Sequence, residues 1–113
     1  MNWKTIRLEL AATDAFPKGS VGRGFLIRAP MDADGRIDEQ SLRRTPERAK
    51  VRRVWPNEPD ENGKLVRLND HWALRFDGKP DRLIDARSQL RSGEEISVSS
   101  AGEEAPFTVR IFD

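Results

Sequence analysis

Between Arg43 and Arg53 lie six basic residues, Arg43, Arg44, Arg48, Lys50, Arg52 and Arg53, against the single acid Glu47. An arginine fork binds a carboxylate or a phosphate through two parallel hydrogen bonds. Trp55, two residues further on, offers a flat face on which a base can stack. The chemistry this points to is anion recognition: an acidic protein surface, or a single-stranded nucleic acid whose counterions are released as its phosphates are neutralised. Glu58, Asp60 and Glu61 follow at once. If they pair with the same arginines, the stretch becomes a solvated, internally neutralised face, which is the plainer reading.

Other chemistries find less support. His71 is the one histidine and stands beside Asp70 in NDHW, expected to be a surface turn between two strands. With no second imidazole and no HExxH spacing it makes a poor metal centre, and no serine sits in a GxSxG elbow for it to activate. DADGRID, from Asp32 to Asp38, resembles the middle of an EF-hand loop. Aligned on Gly35, however, the first and twelfth ligand positions hold Pro30 and Ser41, so the bidentate carboxylate is missing and a polar Asp-Gly turn is expected. VGRGF, from Val21 to Phe25, lacks the third glycine and the following helix of a phosphate cradle, which leaves strand curvature as the role of its glycines. The carboxylate pairs Glu94-Glu95 and Glu103-Glu104 fall in strand or turn contexts, where adjacent carboxylates are expected to be solvated. The chain has no cysteine, which removes disulfides and thiolate chemistry. The expectation is a non-catalytic protein with no cofactor and no metal. An enzyme using His71 with Asp70 is the weakest alternative.

Composition sets the frame for these residues. Of 113 residues, 35% are charged, but 20 basic and 19 acidic side chains leave a formal net charge of only +1. Disorder needs low hydrophobicity together with a large net charge, so a folded single domain over 1–113 with a heavily charged surface is expected. Near-neutrality gives no long-range field, and any charged partner must be met by a local patch. No N-terminal apolar run and no stretch near the ~20 apolar residues of a membrane helix occurs, which predicts a cytoplasmic protein without membrane contact.

The elements that must position the basic stretch are mostly strands. Ile6, Leu8 and Leu10 alternate with Arg7 and Glu9, the period-two signature of a half-buried strand over Trp3–Leu10. Val21–Ala29 is a second strand, with Phe25 and Ile27 on one face and a bulge or a close backbone approach expected at Gly22 and Gly24. Asp38 can cap a short helix through Arg44, and Thr45-Pro46 opens another short turn of helix. Ala49–Trp55 alternates too, with Val51, Arg53 and Trp55 on one face. Neither face is purely apolar, which predicts an edge or rim strand. Asn62-Gly63 is expected to close a long polar reversal before a strand at Leu65–Leu68, and Trp72, Leu74 and Phe76 line the next. Asp81–Arg91 carries the one helical spacing, through Leu83, Ile84 and Leu90. Ile96 and Val98, then Phe107, Val109 and Ile111, form a terminal hairpin. These residues, Trp72 and the aliphatic faces of the first strands make up the expected core.

The segments FPKGSVGRGFLIRAPMDADGRID, VRRVWPNEPDENGKLVRL, WALRFD and SGEEISVSSAGEEAPFTVRIF, taken in this order, resemble a family of small uncharacterised bacterial proteins, chiefly alphaproteobacterial. That resemblance implies a soluble, β-rich bacterial protein and carries no activity, cofactor or partner with it. The sequence thus predicts a mostly-β fold, a small barrel or compact sandwich of about six antiparallel strands with one or two short helices. Its expected function is a binding or interaction module that presents the arginine-rich edge to a macromolecule. A nucleic-acid-binding barrel is the alternative.

Overall fold

The period-two alternation of the first strand continues around the whole chain. The computed structural model describes residues 2–113. Its strands are β1 (Asn2–Leu10), β2 (Ser20–Met31), β3 (Lys50–Val54), β4 (Glu61–Leu68), β5 (His71–Arg75), β6 (Arg82–Asp85), β7 (Glu95–Ser100) and β8 (Glu103–Phe112). Each is antiparallel to its chain neighbour, and β1 pairs with β8 from Thr5↔Phe112 to Leu10↔Phe107, which closes the barrel. A short helix α1 (Glu39–Arg44) and a 3-10 turn (Pro46–Arg48) fill the β2–β3 connection. Among the described residues, no helix is long and apolar enough to cross a membrane.

Inward positions on the strands supply the core. Ile6, Leu8, Ile27, Val51, Leu74, Ile84 and Val109 are almost wholly buried, and Phe25 packs against Phe107 with ring centroids 5.5 Å apart. Of the residues expected in the core, Ile96 and Ile111 are only partly buried and pack against its edge. The Met31 end of β2 carries α1, whose Leu42 is buried together with Ile37 and Leu90. The Gly24–Phe25 end of the same strand borders an open mouth.

Four local expectations are corrected. The barrel has eight strands instead of about six. The one strand with no counterpart among the segments read as extended is β6, which lies where Leu83, Ile84 and Leu90 suggested a helix. The Asp85 carboxylate accepts the Arg87 backbone N–H at 2.8 Å and stops β6 in a tight turn, and Leu90 donates its N–H to the Gly35 carbonyl at 2.7 Å. That tertiary contact, not helical periodicity, buries Leu90. Second, β3 is no edge strand: it is bonded to β2 on one side and β4 on the other, because closure leaves no edge. Third, Asn62 and Gly63 lie within β4, paired with Arg52 and Val51. The preceding reversal bends at Asn57, whose φ is 63°. Fourth, His71 opens β5 opposite Leu68 instead of sitting in the turn, which Asn69 makes with φ 54°.

The bulge expected near Gly22 and Gly24 is present. Glu9 pairs with Gly24 but Leu10 pairs with Ser20, so the register jumps there. A Cβ on Gly24 would overlap the carbonyl oxygen of Leu8, a backbone atom fixed in the β1 ladder. Gly24→Ala is therefore expected to lower unfolding stability by about 2–3 kcal/mol, read as a reduced urea midpoint at unchanged slope. A midpoint equal to that of the parent would contradict the close approach.

Candidate functional site

Strand alternation divides the basic stretch that the sequence presents as one. Lys50 and Arg52 point outward and are exposed, whereas Ala49 and Val51 point inward and are buried. Arg53 follows the inward set, and its side chain is only 13% exposed. Trp55, two residues on, lies beside it with the Arg53 guanidinium 4.4 Å from its ring centroid. The three remaining candidates lie off the strand. Arg43 pairs with Glu39 at 3.2 Å along α1, Arg44 is exposed, and Arg48 stacks over Trp3 at 4.3 Å.

The outward face is basic across strands. In the register of β3 and β4, Lys50 stands opposite Lys64 and Arg52 opposite Asn62. Lys64 in turn stands opposite Arg75 on β5. Arg75 is neutralised by Asp81, through Nε–Oδ1 at 3.1 Å and Nη2–Oδ2 at 2.8 Å. Lys50, Arg52 and Lys64 have no carboxylate within ion-pairing distance among the described residues. Like charges directly opposite on neighbouring strands repel, so this arrangement costs stability.

The inward face is different. Two of the three acids after Trp55 fold back, both onto Arg53 and neither onto Arg52: Glu58 Oε1 accepts from Nη1 at 3.3 Å and Glu61 Oε2 from the same nitrogen at 3.4 Å. Both bonds are long and share one nitrogen, so Nε stays buried without a hydrogen-bond partner. Arg82, from β6, points into the same space over Phe25 and Phe76, 5.6 and 5.5 Å from their ring centroids. Its Nη1 is also buried and unpartnered. Burial, followed by the repulsion of Arg53, pushes the Arg82 guanidinium down from its ordinary value, and Glu61 only partly opposes this. Phe25, Phe107 and Val98 floor the space, an open cavity of about 350 Å³ rimmed by Trp55 and Glu103.

The other motifs resolve into local structure. The Asp32 carboxylate accepts the backbone N–H groups of Asp34 and Arg36 at 2.9 and 3.0 Å, so DADGRID is a side-chain-closed turn. His71 is half-buried on the barrel wall opposite Asp85, whose carboxylate is committed to Arg87. Among the described residues, no three His, Cys, Asp or Glu side chains stand close enough to hold a metal ion. The sequence reading missed Arg82, hidden inside an apparent helix, and Lys64, placed in an apparent turn. The inward direction of Trp55 was legible from its phase with Val51. Compared with known protein families, curated proteins and solved structures, the chain matches none.

Two consequences are measurable. Arg82 is a partly desolvated cation that makes no salt bridge among the described residues, and Met matches its stem on Phe25 and Phe76. Arg82→Met is expected to raise the urea midpoint modestly, and a lowered midpoint would show that the charge stabilises the fold. The hydrogen bond from Lys79, with Arg53 and Arg82 behind it, holds the Glu61 carboxyl below its ordinary value against the opposing effect of burial. Arg75 does the same for Asp81 and Arg87 for Asp85. Folded-state values below the unfolded ones contribute stability above the unfolded value and lose it as pH falls through the folded one. Stability should therefore hold above about pH 5 and decline below it, less steeply in the Glu61→Gln, Asp81→Asn pair of substitutions. Parallel pH profiles for parent and variant would contradict this.

Proposed function

We propose that the protein is a non-catalytic binding module, and that it presents the outward basic face of β3 and β4 to an acidic protein surface. The observation that carries this reading is the unneutralised Lys50, Arg52 and Lys64 set, with Lys50 held opposite Lys64 in register. Elsewhere the surface arginines Arg43, Arg75 and Arg87 have carboxylate neighbours. A repulsive pair retained without a counterion is a stability cost that an acidic partner would relieve. Its presentation from a closed barrel fixes the backbone of the patch, so little backbone ordering is lost on association.

A nucleic-acid-binding barrel is the second reading, and Trp55 against Arg53 is the feature that favours it, since a splayed-out base can stack there. The acidic-protein reading leads because Trp55 lies on the opposite face of β3 from Lys50 and Arg52. A strand of nucleic acid on the basic face therefore meets phosphate contacts without a stacking platform.

The test is a titration at low and physiological salt with a polyglutamate peptide and an oligouridine of matched charge, using the parent, Arg52→Glu and Lys64→Glu. The peptide is expected to bind at low salt and weaken as salt rises. Each substitution should cost at least about fivefold in affinity, and Lys64→Glu should gain about 0.5 kcal/mol of stability by removing the repulsion with Lys50. Oligouridine binding tenfold tighter than the peptide would transfer the site to nucleic acid. Binding of neither at low salt would remove the surface as a functional face.

A further inference from the structure

The inward half of the basic stretch makes a site of its own, independent of the outward face. We propose that the mouth of the barrel beside Arg53 and Arg82 binds a small molecule that carries one carboxylate or phosphate group on a flat apolar body. The cavity is about 350 Å³, the size of a small organic ligand, and lies at a barrel mouth over the packed rings of Phe25 and Phe107. Two guanidinium groups from separate strands enter it. Arg53 Nε and Arg82 Nη1 are both buried donors with no partner in the protein. A buried donor left unmade is costly, and an arginine cannot escape that cost by giving up its proton near neutrality. Those two nitrogens are closed off from the cavity, so an anionic group meets the guanidinium groups at the parts that line it, and its charge offsets the burial and, after it, the repulsion from Arg53 that depress Arg82.

The acids around the mouth define the ligand further. Glu61 is shared between Arg53 and Lys79, Glu58 reaches Arg53 from the outer turn, and Glu103 and Glu104 line the rim. Rim carboxylates repel a highly charged ligand such as a polyphosphate, whereas a single anionic group that reaches the two arginines passes between them. The remaining surface it meets is largely apolar, with Phe25, Phe107 and Val98 below, Trp55 at the side and the small side chains of Ser100, Ala101 and Ala105 between. A flat apolar body fills that space, and inorganic phosphate does not.

The experiment is an NMR titration that follows the Trp55 indole and the arginine Nε–H signals with benzoate, phenyl phosphate, inorganic phosphate and benzyl alcohol as probes. Benzoate or phenyl phosphate is expected to move the Trp55, Arg53 and Arg82 signals together at millimolar concentration or below, and the tighter of the two identifies the headgroup. Arg53→Met and Arg82→Met should each weaken that probe about tenfold with the remaining spectrum unchanged, while Arg110→Met, on the outer wall, leaves it as in the parent. Benzyl alcohol and inorganic phosphate should bind at least about tenfold more weakly. The proposal is overturned if neither aromatic anion moves those signals. It is overturned equally if Arg53→Met and Arg82→Met bind as the parent does, or if inorganic phosphate binds as tightly as phenyl phosphate.

Discussion

The pairing of β1 with β8 is the constraint from which the other features of this protein follow. Once Thr5 to Leu10 bond to Phe107 to Phe112, no strand is left with a free edge, and each has one face toward the core and one toward water. A chain with 35% charged residues and only 36% hydrophobic ones can afford this because one hydrophobic residue in two suffices along each strand. The bulge at Gly24 belongs to the same constraint. It bends β2 and lets its backbone approach Leu8 where the wall curves.

Closure also decides what the basic residues do. In β3 the chain alternates Lys50, Val51, Arg52 and Arg53, and a two-sided wall sends neighbouring cations to opposite sides. Lys50 and Arg52 meet Lys64 and Asn62 outside, while Arg53 meets Phe25 and the mouth within. One run of positive charge becomes two surfaces with different physics. Outside, high dielectric makes the charges cheap to hold and sensitive to salt. Inside, the guanidinium of Arg53 is desolvated against Trp55 and shares two long carboxylate contacts at one nitrogen. That geometry is strong in charge but poor in hydrogen bonding.

The two ends of β2 are finished differently. At the Met31 end, Ile37, Leu42 and Leu90 extend the apolar core under α1, with Asp38 accepting the Leu42 N–H through its carbonyl to start the helix. At the Phe25 end no helix covers the rings of Phe25, Phe76 and Phe107; Arg82 from β6 stands over Phe25 and Phe76, and Arg53 from β3 lies against Trp55. Arginine can occupy such a position because its guanidinium lies flat on aromatic faces while its stem covers apolar surface. The result is a packed end and an open end in one small barrel.

The sequence by itself determined the mostly-β class and most of the strands, while barrel and sandwich both stayed open and the β1–β8 pairing decides for the barrel. Ile6, Leu8 and Leu10, Phe25 and Ile27, and Trp72, Leu74 and Phe76 show their buried face through simple alternation, which is a property of the extended chain and needs no partner to be read. It also located α1 and the 3-10 turn after it, although the expected side-chain cap is not made: the Asp38 carboxylate accepts the Ser41 hydroxyl instead of a backbone N–H. Only the tertiary structure decided the rest. Arg82 to Asp85 is a strand because β5 offers its ladder to it, although the local spacing of Leu83, Ile84 and Leu90 imitates a helix. Asn62-Gly63 extends where an isolated hairpin would turn, since β3 pairs with it and Gly63 admits the Arg75 carbonyl. The joining of Arg53 with Arg82 depends on contacts between residues distant in the chain. Propensity and periodicity act locally, whereas closure is a property of the whole chain.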